Sequence, residues 1–416
     1  MEKNREGQVA ARAGPRPLGL HYGAIVNTWM GAVSAAPLAL HGAMAWHPSL
    51  TGRAVALADD LAGSDEAAFL GAVSRQAQRR LAAALEGVER YRRHPGRRAL
   101  APAPAIWARG GVRLLDFGDP AQPEAPVVLV VPSLVNPSYV LDLTEERSLM
   151  RFLGRSGLHP LLVDWGPPGD EELGFDLSGY IVNRLEPALA EAVSRAGGPV
   201  GLVGYCMGGN LALALATRRP GDIAGLAVLA TPWDFHAEQA VQARAFARAI
   251  SQMTPALEAL GGLPVDLLQA FFFGLQPTLS ERKFRRFGAL DPDSADARLF
   301  VALEDWVNDG MVLAAGVARD CLVGWYGENR PARGAWRVAG RRIDPAVLGL
   351  PCLAAVPAAD RIVPPASALA LATLLPQCKI IRPPSGHVGM VVGDRAATGL
   401  WRPLLTWLRT ITGGGG

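Results

Sequence analysis

The chain has 416 residues, 50% of them hydrophobic and 19% charged, with a formal net charge of +3. That composition excludes bulk disorder, because there is ample apolar surface to bury and little net charge to oppose collapse. It also argues against a nucleic-acid partner: the small excess charge is spread over the whole length, lysine occurs only at positions 3, 283 and 379, and no basic stripe interleaves with aromatics.

No charged residue occurs between Arg16 and Arg53. By length this stretch could cross a bilayer, but it is rich in Ala and Gly, holds Asn27, His41 and His47, and is broken by Pro37 and Pro48. A signal peptide fits no better, since the apolar run is weak and no cleavage site follows it. The expectation is a helical arm that packs on the protein or adsorbs to an apolar surface, with Trp29, Met30 and Trp46 as anchors. Ser64 then stands where it can cap a helix, with Phe69, Leu70, Val73, Ala77, Leu81, Leu85, Val88 and Tyr91 at three-to-four spacing. Arg75, Arg79, Arg80 and Arg90 fall on its solvated face, and His94–Pro104 reads as a linker. Residues 1–110 are therefore expected to form a helical N-terminal region.

From Val112 the texture changes. Short apolar runs at Val112–Phe117, Val127–Val131, His159–Val163, Val200–Gly204, Leu226–Ala230, Cys352–Val356 and Lys379–Ile381 alternate with longer amphipathic segments. This pattern predicts an α/β fold, a mainly parallel sheet flanked by helices. Between Ala230 and Cys352 the rhythm breaks, and the interval carries Phe271, Phe272, Phe273, Phe284, Phe287, Phe300, Trp306 and Trp325 in helical text. Residues 234–348 are read as a cap inserted into an α/β core of residues 111–233 and 349–412. The aromatic content of the cap suits it to excluding water from a site beneath.

The most informative run is Val200-Gly201-Leu202-Val203-Gly204-Tyr205-Cys206-Met207-Gly208-Gly209-Asn210, which passes directly into the helical Leu211–Ala216. A strand ending in Gly-x-Cys-x-Gly at the start of a helix is the nucleophile-elbow pattern, with Cys where Ser is common, and it points to an α/β-hydrolase fold. The glycines let neighbouring backbones approach a sharp turn. The helix N-terminus favours a thiolate and offers a free N–H to a developing oxyanion. In this fold the acid and the histidine follow the nucleophile, each on a loop after a strand. Asp360 follows Cys352–Val356, and His387 follows Cys378–Ile381 within Ser385-Gly386-His387-Val388-Gly389. Asp164 also ends a strand, but it precedes the nucleophile and is read as structural, as are His21, His41, His47, His94, His159 and His236. The oxyanion donors expected from position are the backbone N–H of Met207 and that of Leu134 or Val135, on the loop after Val127–Val131. The other cysteines, Cys321, Cys352 and Cys378, lie far apart with no CxxC pair, which argues against a metal site or disulfide framework. A reduced, cytoplasmic setting is the corresponding expectation.

The chain resembles the polyhydroxyalkanoate synthases. The resemblance rests on Leu134-Val135-Asn136, Tyr139–Leu143, Arg147-Ser148-Leu149, Val163–Gly166 and the box Gly204–Gly209. Later matches are Glu304-Asp305-Trp306, Gly340–Asp344, Asp360–Pro365 and Gly386–Gly389. Arg361 and Asn210 stand where that family often has His and Thr. The likeness is greatest to the shorter-chain synthases, which act with a second subunit. It implies that Cys206 carries the acyl group, that Asp360 is the acid and His387 the base. It further implies 3-hydroxyacyl-CoA as substrate, coenzyme A entering only as part of that substrate, a homodimer or second synthase subunit, and association with the polyester granule. The competing readings are a Cys-dependent hydrolase of esters, thioesters or the polyester, and a non-catalytic granule-associated protein.

Overall fold

Val127–Val131 and Val200–Tyr205 are buried at every position, because stiff β-branched and small residues suit a pleated sheet covered on both faces. In the computed structural model, which describes residues 11–238 and 240–413, these two strands lie side by side in an eight-stranded sheet. In chain order the strands are β1 (Ala105–Arg109), β2 (Val112–Asp116), β3 (Val127–Val131), β4 (His159–Asp164), β5 (Val200–Tyr205) and β6 (Ile223–Leu229). A two-stranded hairpin follows, β7 (Arg337–Val338) and β8 (Arg341–Arg342), and then β9 (Cys352–Ala355) and β10 (Cys378–Ile381). Their spatial order in the large sheet is β1-β2-β4-β3-β5-β6-β9-β10. The β1–β2 and β2–β4 pairs are antiparallel and the remaining pairs are parallel. This is the expected α/β-hydrolase architecture, and it brings the C-terminal ends of β3, β5, β9 and β10 to one edge of the sheet. The chain is also helical where the N-terminal region was expected to be, but β1 begins inside that region. Its residues are half-buried or exposed, so this edge strand carries no apolar alternation to announce it.

The chain forms two compact units, one of residues up to Arg97 with Gln269–Asn308, the other of Arg98–Leu268 with the residues from Asp309 onward. The expected cap, 234–348, is thereby divided. In the first unit the helix Leu279–Gly288 packs on the helix Glu66–Arg93, where Phe284 and Phe287 join Ile25, Val88 and Tyr91 in a buried cluster. Burying such side chains stabilises by about 1.5–3 kcal/mol each. The crossing is close: a Cβ on Gly87 would come within 1.9 Å of the Phe284 carbonyl oxygen. The cap of Glu66–Arg93 is Asp65 and not Ser64, since the Asp65 carboxylate accepts from the Ala68 N–H at 2.6 Å. Asp305, in one of the family-like motifs, accepts from the Tyr91 hydroxyl at 3.0 Å, and Lys283 pairs with Glu304 at 2.7 Å. Phe273 packs edge-on against His21, so these aromatics serve the core of the first unit.

The charge-free stretch becomes the helix Leu18–Leu40. It is long and apolar enough to cross a membrane, and 11% of that apolar window is buried. His21, Ile25 and Ala36 are buried, whereas Leu20, Val26, Met30 and Leu38 are exposed. His21 contacts the Ser280 hydroxyl at 2.6 Å, and burial, aided by the Lys283 charge, lowers its pKa to about 4.

Candidate active site

The turn at the end of β5 is set by three glycines. A Cβ on Gly204 would lie 2.4 Å from the Gly209 Cα, one on Gly208 would lie 2.2 Å from the Val131 carbonyl oxygen, and one on Gly209 would lie 1.8 Å from the Thr231 hydroxyl. With those approaches open, β5 runs into the helix Met207–Arg218, and Cys206 takes φ 57° at the junction. A non-glycine residue in that region is strained, and such strain is characteristic of functional turns. The junction is pinned by Cys206 N–H donating to the Leu229 carbonyl at 2.8 Å and Gly209 N–H to the Cys206 carbonyl at 2.9 Å. Gly208→Ala is expected to cost about 1–3 kcal/mol of stability through this backbone clash, and to displace the Met207 N–H. Denaturant melts alongside an acylation assay check it, and wild-type values in both would contradict the steric account.

The loops after β9 and β10 supply the partners. Asp360 is buried, and its Oδ1 accepts from the Ile362 and Val363 N–H groups, each at 2.9 Å. Its Oδ2 lies 2.7 Å from His387 Nδ1. The two loops are tied together where Ala359 N–H donates to the Ser385 carbonyl at 3.0 Å. His387 is also buried, and Cys206 lies close enough to act on its titration. Burial by itself lowers the His387 pKa. The Cys206 charge, the hydrogen bonds with Asp360 and Cys206, and the Asp360 charge outweigh that and raise it to about 10. The arrangement therefore favours the protonated form of the His387 ring at neutral pH.

Two neighbours were not anticipated. Tyr205 stacks at a tilt on His387, ring centroids 5.3 Å apart, and its hydroxyl donates to the His387 carbonyl at 3.3 Å. It occupies the unspecified position of Gly-x-Cys, so the motif gave no signal for it. Tyr326 feels the Cys206 charge, which adds to burial in pushing its phenol well up. Its ring packs on Phe235 at 4.9 Å, within a group that includes Trp325 and Trp336. Trp325 belonged to the expected aromatic cap, whereas Phe235 and Tyr326 are legible only from the fold.

The loop after β3 is held by Trp165, whose indole N–H donates to the Pro132 carbonyl at 3.0 Å. The Val135 N–H donates to the Ser133 hydroxyl at 3.1 Å. Asp164 pairs with Arg113 and accepts from the Ser138 hydroxyl at 3.0 Å, in keeping with a structural part. Cys321 and Cys352 are buried free thiols.

Residues 196–394 match the alpha/beta hydrolase fold family. The chain is 31% identical over 323 residues to the poly(3-hydroxyalkanoate) polymerase subunit PhaC of Synechocystis sp., a match covering 74% of this chain and 84% of that protein. It is 27% identical to the subunit of the same name from Allochromatium vinosum, over 74% of this chain and 88% of the relative. The subunit from Haloferax mediterranei is 26% identical, over 74% and 63% respectively.

Proposed function

Because the chain belongs to the PhaC family of poly(3-hydroxyalkanoate) polymerases, we propose that it moves 3-hydroxyacyl groups from coenzyme A thioesters onto Cys206 and then into a growing polyester. What supports the reading is a thiol at a strained elbow beside an imidazole whose Nδ1 lies 2.7 Å from a buried carboxylate. The Cys206 thiolate attacks the thioester carbonyl, and the charge that develops on its oxygen falls to the Met207 and Leu134 N–H groups. Collapse breaks the bond to coenzyme A, whose sulfur takes the proton held on His387. One thioester has replaced another, so the intermediate stays reactive. His387, neutral after that transfer, then takes the proton of an incoming 3-hydroxyacyl hydroxyl. That oxygen forms the new ester bond while the Cys206–acyl bond breaks, which regenerates the thiolate beside an imidazolium.

Water in place of the hydroxyl would make the same machinery a hydrolase. Incubating the purified protein with 3-hydroxybutyryl-CoA separates the two: coenzyme A release accompanied by polymer is expected, and release accompanied only by free 3-hydroxybutyrate would overturn the proposal.

The product is an insoluble polyester, which gives the exposed face of Leu18–Leu40 a natural surface to adsorb to. Met30 and Leu38 are 55% and 50% exposed, so Met30→Glu with Leu38→Glu should leave the melting temperature unchanged and reduce co-sedimentation with granules. Unchanged co-sedimentation would remove that role. Deleting residues 1–52 is a poorer test, because it also takes Ile25 from the buried cluster. A second copy or a second synthase subunit completes the proposed set of partners.

A further inference from the structure

The second unit holds a cleft of about 790 Å³ that the chemistry above does not use, and Cys206, Asp360 and His387 are not among its lining residues. The size is that of a ligand pocket, commonly about 300–1,000 Å³. Its walls come from β2, β4, the loop after β3 and two segments of the interval expected as a cap, and they include Leu115, Phe117, Leu162, Met311 and Val312. The polar groups on its rim are already matched to one another. Arg98 pairs with Asp142 at 3.0 Å, Arg113 pairs with Asp164, and the Tyr139 hydroxyl donates to Asp309 at 3.2 Å. Both lining cations are thus committed to carboxylates, which leaves poor reception for the phosphates of coenzyme A. An uncharged chain of esters with small apolar branches makes no such demand.

A second, smaller space adjoins the cleft. A narrow cavity of about 10 Å³, with room for about one water, is lined by Leu134, Trp165 and Tyr180 and shares Gly166, Pro168, Met311 and Val312 with the cleft. Leu134 is the oxyanion donor proposed on the loop after β3, and Met311 and Val312 line both the small cavity beside it and the cleft. The Met311 N–H reaches the Val135 carbonyl at 3.4 Å, longer than the usual 2.7–3.2 Å, whereas Leu313 beyond it is bridged to Leu263, so any give in this wall lies on the Met311 side.

We propose that the cleft receives the uncharged polyester chain as it leaves Cys206, with Met311 and Val312 as the wall that yields to it. The proposal rests on the polymerising reading and adds where the product goes. Its test uses Val312→Trp, which narrows the connection, and Leu260→Trp at the cleft, where the position is 66% exposed and an added ring does not disturb the core. Each full-length variant is mixed with 3-hydroxybutyryl-CoA, and the initial burst of coenzyme A, the steady release and the polymer length are recorded. The expected result is a burst equal to that of the wild type, with steady release reduced by about tenfold or more and shorter polymer, more so for Val312→Trp. Wild-type steady release and polymer length in the folded variants would overturn the proposal. Loss of the burst at an unchanged melting temperature would overturn it too, by making the cleft the substrate's entrance. Free acid as the wild type's own product would instead remove the polymerising reading beneath it, whatever the variants do.

Discussion

Cys206→Ala is expected to abolish coenzyme A release, whereas Cys321→Ala, Cys352→Ala and Cys378→Ala should change stability at most. Among the four cysteines only Cys206 joins a strained, positive-φ backbone to a buried imidazole whose titration it affects. Burial pushes the Cys321 thiol well up, takes Cys352 to about 12 with help from the Cys378 charge, and takes Cys378 to about 11. None of these three offers appreciable thiolate at neutral pH. Removing the nucleophile of a triad has cost roughly 10⁶ in turnover in comparable enzymes, so any residual release should be indistinguishable from background hydrolysis. Cys206→Ser should retain a trace, because the elbow survives while sulfur's reactivity and leaving ability are lost. The measurement is thiol release together with the mass of the intact protein. A hydroxyacyl adduct on Cys206→Ala at the wild-type level would refute the assignment.

The elbow was legible in the sequence because its glycines answer a steric need that spacing alone expresses: Gly204, Gly208 and Gly209 each face an atom that a Cβ would strike. The central strands were legible because both of their faces are covered, which leaves uninterrupted apolar runs such as Val127–Val131. Asp360 and His387 followed from the order of loops after strands. The boundary of the cap did not follow. Periodicity says that Leu279–Gly288 has an apolar face, but not that Phe284 buries it against Glu66–Arg93, nearly two hundred residues earlier in the chain. Nor did the sequence announce that Ser133 takes the Val135 N–H in a local side-chain turn. A similar competition over one residue moved the helix cap from Ser64 to Asp65. Tyr205 and Tyr326 lie where a motif is silent or where only the folded chain brings distant residues together.

Asp360→Asn should lower the acylation rate by about 10⁴, the scale that a misassigned histidine tautomer carries in a triad, while leaving the fold intact. The Ile362 and Val363 N–H groups both donate to Oδ1, so an asparagine must keep its carbonyl oxygen there and turn its NH₂ toward His387. Nδ1 then has to accept, the ring proton moves to Nε2, and the nitrogen facing the thiol no longer takes its proton. The same substitution alters stability against pH in a defined direction. In the wild type the folded His387 pKa is raised from 6.5 to about 10. A raised pKa means that the protonated ring stabilises the folded state. That contribution is fully present below about pH 6.5 and is lost as the pH climbs through about 10. Without the Asp360 charge the folded pKa falls, so the variant should lose the contribution earlier in the same window. Denaturant melts of both proteins at intervals from pH 6 to pH 10 read the difference directly, which should be largest at the acid end and shrink toward the alkaline end. A difference that stays flat across that range would mean that His387 is not held as an imidazolium in the folded protein.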